Sequence, residues 1–249
     1  MTVIRTALIA LCSVSAFAAQ GNLEHATIAG RRVSVYTPAA YTASKTATYD
    51  LIVFFDGDSY LEELDAAKVL DASPRPMVAV TVDNSADRLG ELANHRKFAD
   101  FMATELIPAI RARWRVTHDP ARTTLAGYSA GGLGAAYVAF RHPEVFGNVL
   151  SQSGAFWRGN EGASTPGEWL TEQFRRSPRL PLRFYIEVGA GETHRVVNGV
   201  VFIEANRRLR DVLRAKGYPM QYVEVPGAKH EPGHWKSALP AGIAYCSGH

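Results

Sequence analysis

Between the apolar run Thr123-Thr124-Leu125-Ala126 and a second run of small apolar residues at 133–140 stands Gly127-Tyr128-Ser129-Ala130-Gly131-Gly132. The first run reads as a short buried strand and the second as a helix. A strand that passes through one serine straight into a helix makes a tight, strained turn, and this constrains the fold more than any other feature of the chain. Gly127 and Gly131 leave out the side chains that would collide as strand and helix close on each other. The Ser129 hydroxyl then stands clear at the sheet edge. The Ala130 amide opens the helix and can face an oxyanion. The competing reading is a glycine-rich turn with an idle serine.

The other segments agree with such a turn. Residues 50–55 and 77–82 are continuous apolar runs, suited to strands covered on both faces. Residues 25–28 and 31–37 read as a hairpin turning at Ala29-Gly30. Further strands are expected at 148–151, 184–188 and 221–225. Helical spacing runs through 61–70, 94–114 with a kink at Pro108, 201–216 ending on Gly217, and 235–245. Residues 42–49 read as a polar loop. Strands alternating with helices imply an α/β architecture, a mainly parallel sheet with helices on both faces. Sites in such sheets gather at the carboxyl ends of strands. No linker divides residues 20–249, which read as a single domain.

Residues 1–19 read as a secretory signal peptide: Arg5, an apolar stretch at 7–17, and the small-residue site Ala16-Phe17-Ala18. Such a leader implies a periplasmic or secreted protein with no stable membrane anchor after cleavage. It would take Cys12 with it, leaving Cys246 without an internal partner, so no disulfide is expected. The formal charge of the 249 residues is +3, and Arg5 supplies one of those charges. A balance so small and dispersed argues against a nucleic-acid partner.

A serine hydroxyl needs a base, and the base needs an orienting carboxylate. On a sheet of this kind the three follow in the order Ser, acid, His. After Ser129 the chain offers Glu192, in the loop leaving the strand at 184–188, and then His230, in the loop after 221–225. Glu187 and Asp211 are competing acids, His194 is a second candidate base, and a Ser–His dyad is the fallback. For the second oxyanion donor, Asp56-Gly57-Asp58 lies after an earlier strand; the Asp58 amide fits, with Gly57 permitting the turn. The segment His230-Glu231-Pro232-Gly233-His234 also spells H-E-x-x-H, a zinc pattern that needs both histidines on one helix. Pro232 and Gly233 are poor helix-interior residues, so the segment reads as a loop, and neither metal nor cofactor is expected.

Several motifs in order resemble the enterochelin (enterobactin) esterases and their esterase D-like relatives among the α/β-hydrolases. They are Phe54-Phe55-Asp56-Gly57, Arg88-Leu89-Gly90-Glu91-Leu92, the Gly127–Gly132 turn, Ser151-Gln152-Ser153-Gly154-Ala155-Phe156-Trp157, Gly189-Ala190-Gly191-Glu192, and His230 five residues before Trp235. The resemblance covers roughly residues 50–239. It implies an α/β-hydrolase fold of the exported, single-domain type. Ser129 would be the nucleophile, His230 the base, Glu192 the acid, and Ala130 and Asp58 the oxyanion amides. Arg88 would face an anionic substrate, with Trp157, Tyr128 and Arg195 at the pocket. Two departures are the lysine inserted before His230 and the residues that follow it.

The implied substrate is a small-molecule ester, the trilactone of a catecholate siderophore, free or iron-loaded, and Arg158 and Lys236 also lie near candidate loops. Rival readings are a carbohydrate, feruloyl or acetyl esterase, a mycolyl-type acyltransferase, or a siderophore-binding protein without turnover.

Overall fold

Among the described residues, eight strands make one sheet: β1 (Asn22–Ile28), β2 (Arg31–Thr37), β3 (Asp50–Phe55), β4 (Met77–Val82), β5 (Thr123–Tyr128), β6 (Asn148–Gln152), β7 (Arg183–Gly189) and β8 (Met220–Val225). Their order across the sheet is β1-β2-β4-β3-β5-β6-β7-β8. The β1–β2 hairpin and the β2–β4 pair are antiparallel, and every later pair is parallel. This is a computed structural model that describes residues 21–159 and 167–248. The signal peptide expected at 1–19 lies outside the described residues.

The helices are α1 (Ala40–Ala43), α2 (Ser59–Glu62), α3 (Ala66–Asp71), α4 (Arg88–Leu92), α5 (Arg96–Phe101), α6 (Ile107–Arg113), α7 (Ala130–Arg141), α8 (Trp169–Arg176), α9 (Phe202–Ala215) and α10 (Pro232–Cys246). Successive side chains of a strand point to opposite faces, so an unbroken apolar run buries both. In β3, Leu51, Val53 and Phe55 join the core formed with α5, α6, α7 and α9, while Ile52 and Phe54 join the one formed with α3 and α10. All six β3 residues are buried.

Four expectations need adjustment. The run at 61–70 is two short helices, because Asp65 takes a left-handed conformation (φ 53°) between them. The run at 94–114 is α5, a π-helical turn (Met102–Leu106) and α6. Pro108 has no N–H and its ring crowds the preceding turn, and the wider π turn accommodates both defects. The polar stretch at 42–49 begins inside α1. The last helix starts at Pro232 rather than 235, since proline's fixed φ suits the first helical position. The sequence reading had no counterpart for α8, whose Phe174 packs edge-on against Phe140, Phe184 and Tyr218.

At the crossing of β5 and α7 the two backbones come very close together. A Cβ built on Gly127 would lie 2.3 Å from the Gly131 carbonyl carbon. Backbone atoms cannot swing away as a side chain can. Gly127→Ala should therefore destabilise the fold by about 3 kcal/mol, read as a lowered urea midpoint, and a midpoint equal to wild type would contradict the packing.

Candidate active site

The turn between β5 and α7 holds Ser129 at φ 54° and ψ −119°, a conformation that costs a non-glycine residue on the order of 1–3 kcal/mol. Two backbone hydrogen bonds enforce it. The Ser129 N–H donates to the Gln152 carbonyl (2.9 Å), and the Ser129 carbonyl accepts from the Ala155 N–H (2.9 Å). The serine is thus pinned to the carboxyl end of the neighbouring strand β6.

His230 comes to it from the loop after β8. The Ser129 hydroxyl lies 3.0 Å from His230 Nε2, and His230 Nδ1 lies 2.6 Å from Glu192 Oε2. A carboxylate can only accept, so Nδ1 carries the ring proton and Nε2 presents its lone pair to the serine. The Glu192 side chain is fully buried. Its other oxygen accepts from the Ser153 hydroxyl (2.5 Å) and the Gly189 N–H (2.8 Å). Burial alone would push this carboxyl up; the hydrogen bonds from His230, Ser153 and Gly189 outweigh it and hold Glu192 below the ordinary glutamate value.

Sequence reasoning assigned no part to the residues that hold this chain in place. Ser153 has φ 47° and accepts a hydrogen bond from the Trp235 indole N–H (3.0 Å) while donating to Glu192. Trp235 also meets the His230 ring edge-on, with centroids 5.0 Å apart, and Phe202 closes the other side at 4.9 Å. The signal was faint: a serine and glycine after β6, and a tryptophan five residues after His230.

The turn after β3 packs directly on the elbow. Asp56 and Gly57 both have positive φ, at 75° and 58°. A Cβ on Gly57 would fall 2.5 Å from Asp83 Oδ1. Asp58 occupies the N-cap position of α2, but its carboxylate accepts from the Thr81 hydroxyl (2.8 Å) rather than capping the helix. Ala130 is the first residue of α7, so its amide has no acceptor within the helix.

The expected pocket residues divide. Tyr128 stacks on Trp235 at 4.3 Å and shares a 3.0 Å hydrogen bond with Ser59. The Arg88 guanidinium pairs with Asp56 beside the elbow and lies 6.0 Å from the centre of the Tyr128 ring, so its charge is already matched. Arg158 lies over Trp157 at 5.2 Å, and among the described residues no carboxylate pairs with it. Burial and the neighbouring Arg88 charge push its guanidinium below the usual arginine value. Trp157 is half-buried, packed against Val188, Phe202 and Ile203. Arg195 donates to the Gly199 carbonyl (2.8 Å) in an exposed loop, and Lys236 is paired with Asp65 (2.6 Å).

The H-E-x-x-H segment does not sit on one helix, because α10 begins at Pro232, after His230. Its two imidazoles go to different carboxylates, His230 to Glu192 and His234 to Glu187.

The model of the Esterase family matches residues 25–246. The chain belongs to this family of carboxylic ester hydrolases. The esterase is 29% identical to an iron(III) salmochelin esterase of Escherichia coli over 88% of this chain and 54% of that protein. It is 28% identical to an iron(III) enterobactin esterase of Dickeya dadantii over 86% of this chain and 51% of that one. The chain therefore spans about half the length of these curated relatives. Among solved structures, the enterobactin esterase of Shigella flexneri in the presence of enterobactin superposes with a TM-score of 0.71 at 26% identity, covering 91% of this chain and 58% of that one. A ferulic acid esterase superposes at 0.69 with 18% identity over 92% of this chain and 98% of that one, a likeness of fold.

Proposed function

We propose that this esterase cleaves carboxylic esters through an acyl-enzyme on Ser129. The observation that carries the reading is the unbroken chain from hydroxyl to imidazole to carboxylate, 3.0 and 2.6 Å. His230 Nε2 takes the hydroxyl proton as Oγ attacks the ester carbonyl. Glu192, ionised and hydrogen-bonded on both oxygens, stabilises the imidazolium that results. The amides of Ala130 and Asp58 receive the oxyanion. The imidazolium then gives its proton to the leaving alkoxide, and water repeats the sequence to free the acid.

For the substrate we propose an anionic catecholate trilactone of the enterobactin type, with or without iron. Support comes from the names of the relatives and from Arg158, a half-buried cation without a carboxylate among the described residues. A guanidinium held this way binds an anion more strongly than one already paired. The N-terminal Arg5, the apolar stretch and the Ala16-Phe17-Ala18 site support export as the setting.

Arg158→Ala should raise KM for the iron-loaded trilactone about tenfold and leave KM for a neutral short-chain ester within about twofold. Equal losses on both would remove Arg158 from substrate choice. Product analysis by mass spectrometry on the free and iron-loaded trilactone, beside feruloyl and acetyl-sugar esters, tests the class. Turnover of the sugar esters alone would overturn the siderophore assignment, and bound trilactone recovered intact would overturn hydrolysis.

A further inference from the structure

Directly behind Glu192 lies a second glutamate–histidine pair that the proposed reaction does not use. Glu187 is on β7 and His234 is in the first turn of α10, with side-chain exposures of 0% and 1%. His234 Nε2 lies 2.5 Å from Glu187 Oε2 as an ion pair, and neither atom has a well-formed hydrogen bond to any group among the described residues. The remaining atoms of the pair have fixed roles. His234 Nδ1 faces the Lys229 carbonyl (3.1 Å), which can only accept, so Nδ1 is a donor. Glu187 Oε1 accepts from the Gln152 amide (3.1 Å). That amide is itself oriented, because it also donates to the Trp235 carbonyl (2.8 Å) and its oxygen accepts from the Tyr60 hydroxyl (3.1 Å).

One proton is therefore what Nε2 and Oε2 hold between them. With none, two lone pairs would face each other at contact distance; with two, an N–H would face an O–H. With one, the pair is neutral overall whichever atom carries it. The surroundings favour keeping it. Burial pushes the Glu187 carboxyl up, and the opposing His234 interaction does not reverse this. Burial would lower His234, but the hydrogen bond and charge of Glu187 outweigh that and raise it. The other ionisable groups facing the pair are Glu192, whose Oε1 is 3.9 Å from His234 Nδ1, and the hydroxyls of Tyr60 and Tyr185. Burial pushes both tyrosines up, Tyr185 to about 12, so both are neutral.

We propose that Glu187 and His234 are positioning residues: a buried pair sharing one proton that fixes the loop carrying His230 and leaves Glu192 as the sole negative charge at the imidazole. The mechanical half follows from the contacts. His234 ties down the carbonyl of Lys229, the residue before His230, and Trp235, the residue after His234, packs on His230 and reaches Glu192 through Ser153. The electrostatic half concerns the site's charge. Without the shared proton a second carboxylate would lie behind Glu192 and favour the protonated form of His230, which cannot act as a base.

This inference rests on the acyl-enzyme reading above, and its tests separate the two. His234→Gln keeps an N–H donor for Glu187 but removes the shared proton. The acid limb of its kcat/KM profile should move up by about one pH unit. Adding Glu187→Gln removes the stranded charge and should return the limb to its wild-type position. A limb unmoved in the single variant, or not restored in the double, would overturn the electrostatic role; a uniform fall in kcat at all pH values would be packing alone. On the wild-type protein, the ring nitrogen shifts of 15N-labelled His234 should stay constant from about pH 5 to 9, and titration within that range would overturn the shared proton. The nitrogen measurement needs no turnover, so it stands even if Ser129→Ala retains activity and the hydrolase reading itself fails.

Discussion

Ser129→Ala is expected to lower kcat for ester hydrolysis by about 10⁶-fold while leaving the circular dichroism spectrum and melting profile of a folded protein. The Ser129 Oγ atom is the elbow group that meets His230 Nε2, at 3.0 Å. A companion variant separates chemistry from strain. Ser129 sits at φ 54° and ψ −119°, where glycine is at ease and a side chain is not. Ser129→Gly should be as inactive as the alanine variant but more stable than it by about 1 kcal/mol, the released strain less the greater freedom glycine has when unfolded. Urea unfolding of the two variants measures the difference. Substantial hydrolysis by either would overturn the assignment of the nucleophile, and equal stability would deny the strain.

Glu192→Gln is expected to lower kcat by about 10⁴-fold at neutral pH, with little change in KM. The reason is the direction of one hydrogen bond. The Ser153 hydroxyl and the Gly189 N–H both donate to Oε1, so a glutamine must keep its carbonyl oxygen there. Its NH2 group then faces His230 Nδ1, which has to accept, and the ring proton moves to Nε2. That tautomer cannot take a proton from Ser129. Activity retained within tenfold would mean that the site works as a Ser–His dyad. Stability should respond to pH as well. The folded-state Glu192 lies below its unfolded value of about 4.3, so its contribution is full above that pH and is lost as pH falls through the folded value. The stability gap between wild type and Glu192→Gln should be widest near neutrality and close in acid below about pH 4.

Much of the site was legible because its parts sit at places that local patterns mark. Ser129 is bracketed by an apolar strand and a helix of small residues. Glu192 and His230 each follow a strand at which the chain turns back. What local pattern could not decide was which of two nearby carboxylates faces the base. Glu187 and Glu192 are five residues apart at one strand end, yet one turns into the core toward His234 and the other folds back on the Gly189 amide to meet His230. The pairing of Arg88 with Asp56 likewise depends on two loops, far apart in sequence, that leave the neighbouring strands β3 and β4.

By itself, the sequence determined the alternation of strands and helices, the strained serine turn and the strand-end positions of Ser129, Glu192 and His230, since each depends on spacing and turn chemistry within a few residues. Only the tertiary structure decided that Ser153 and Trp235 brace Glu192, that His234 belongs to Glu187, and that Arg158 is left without a carboxylate among the described residues. Those contacts depend on how β6, β7 and α10 lie against one another, and hydrogen bonds form across that packing between groups whose separation along the chain carries no trace of it.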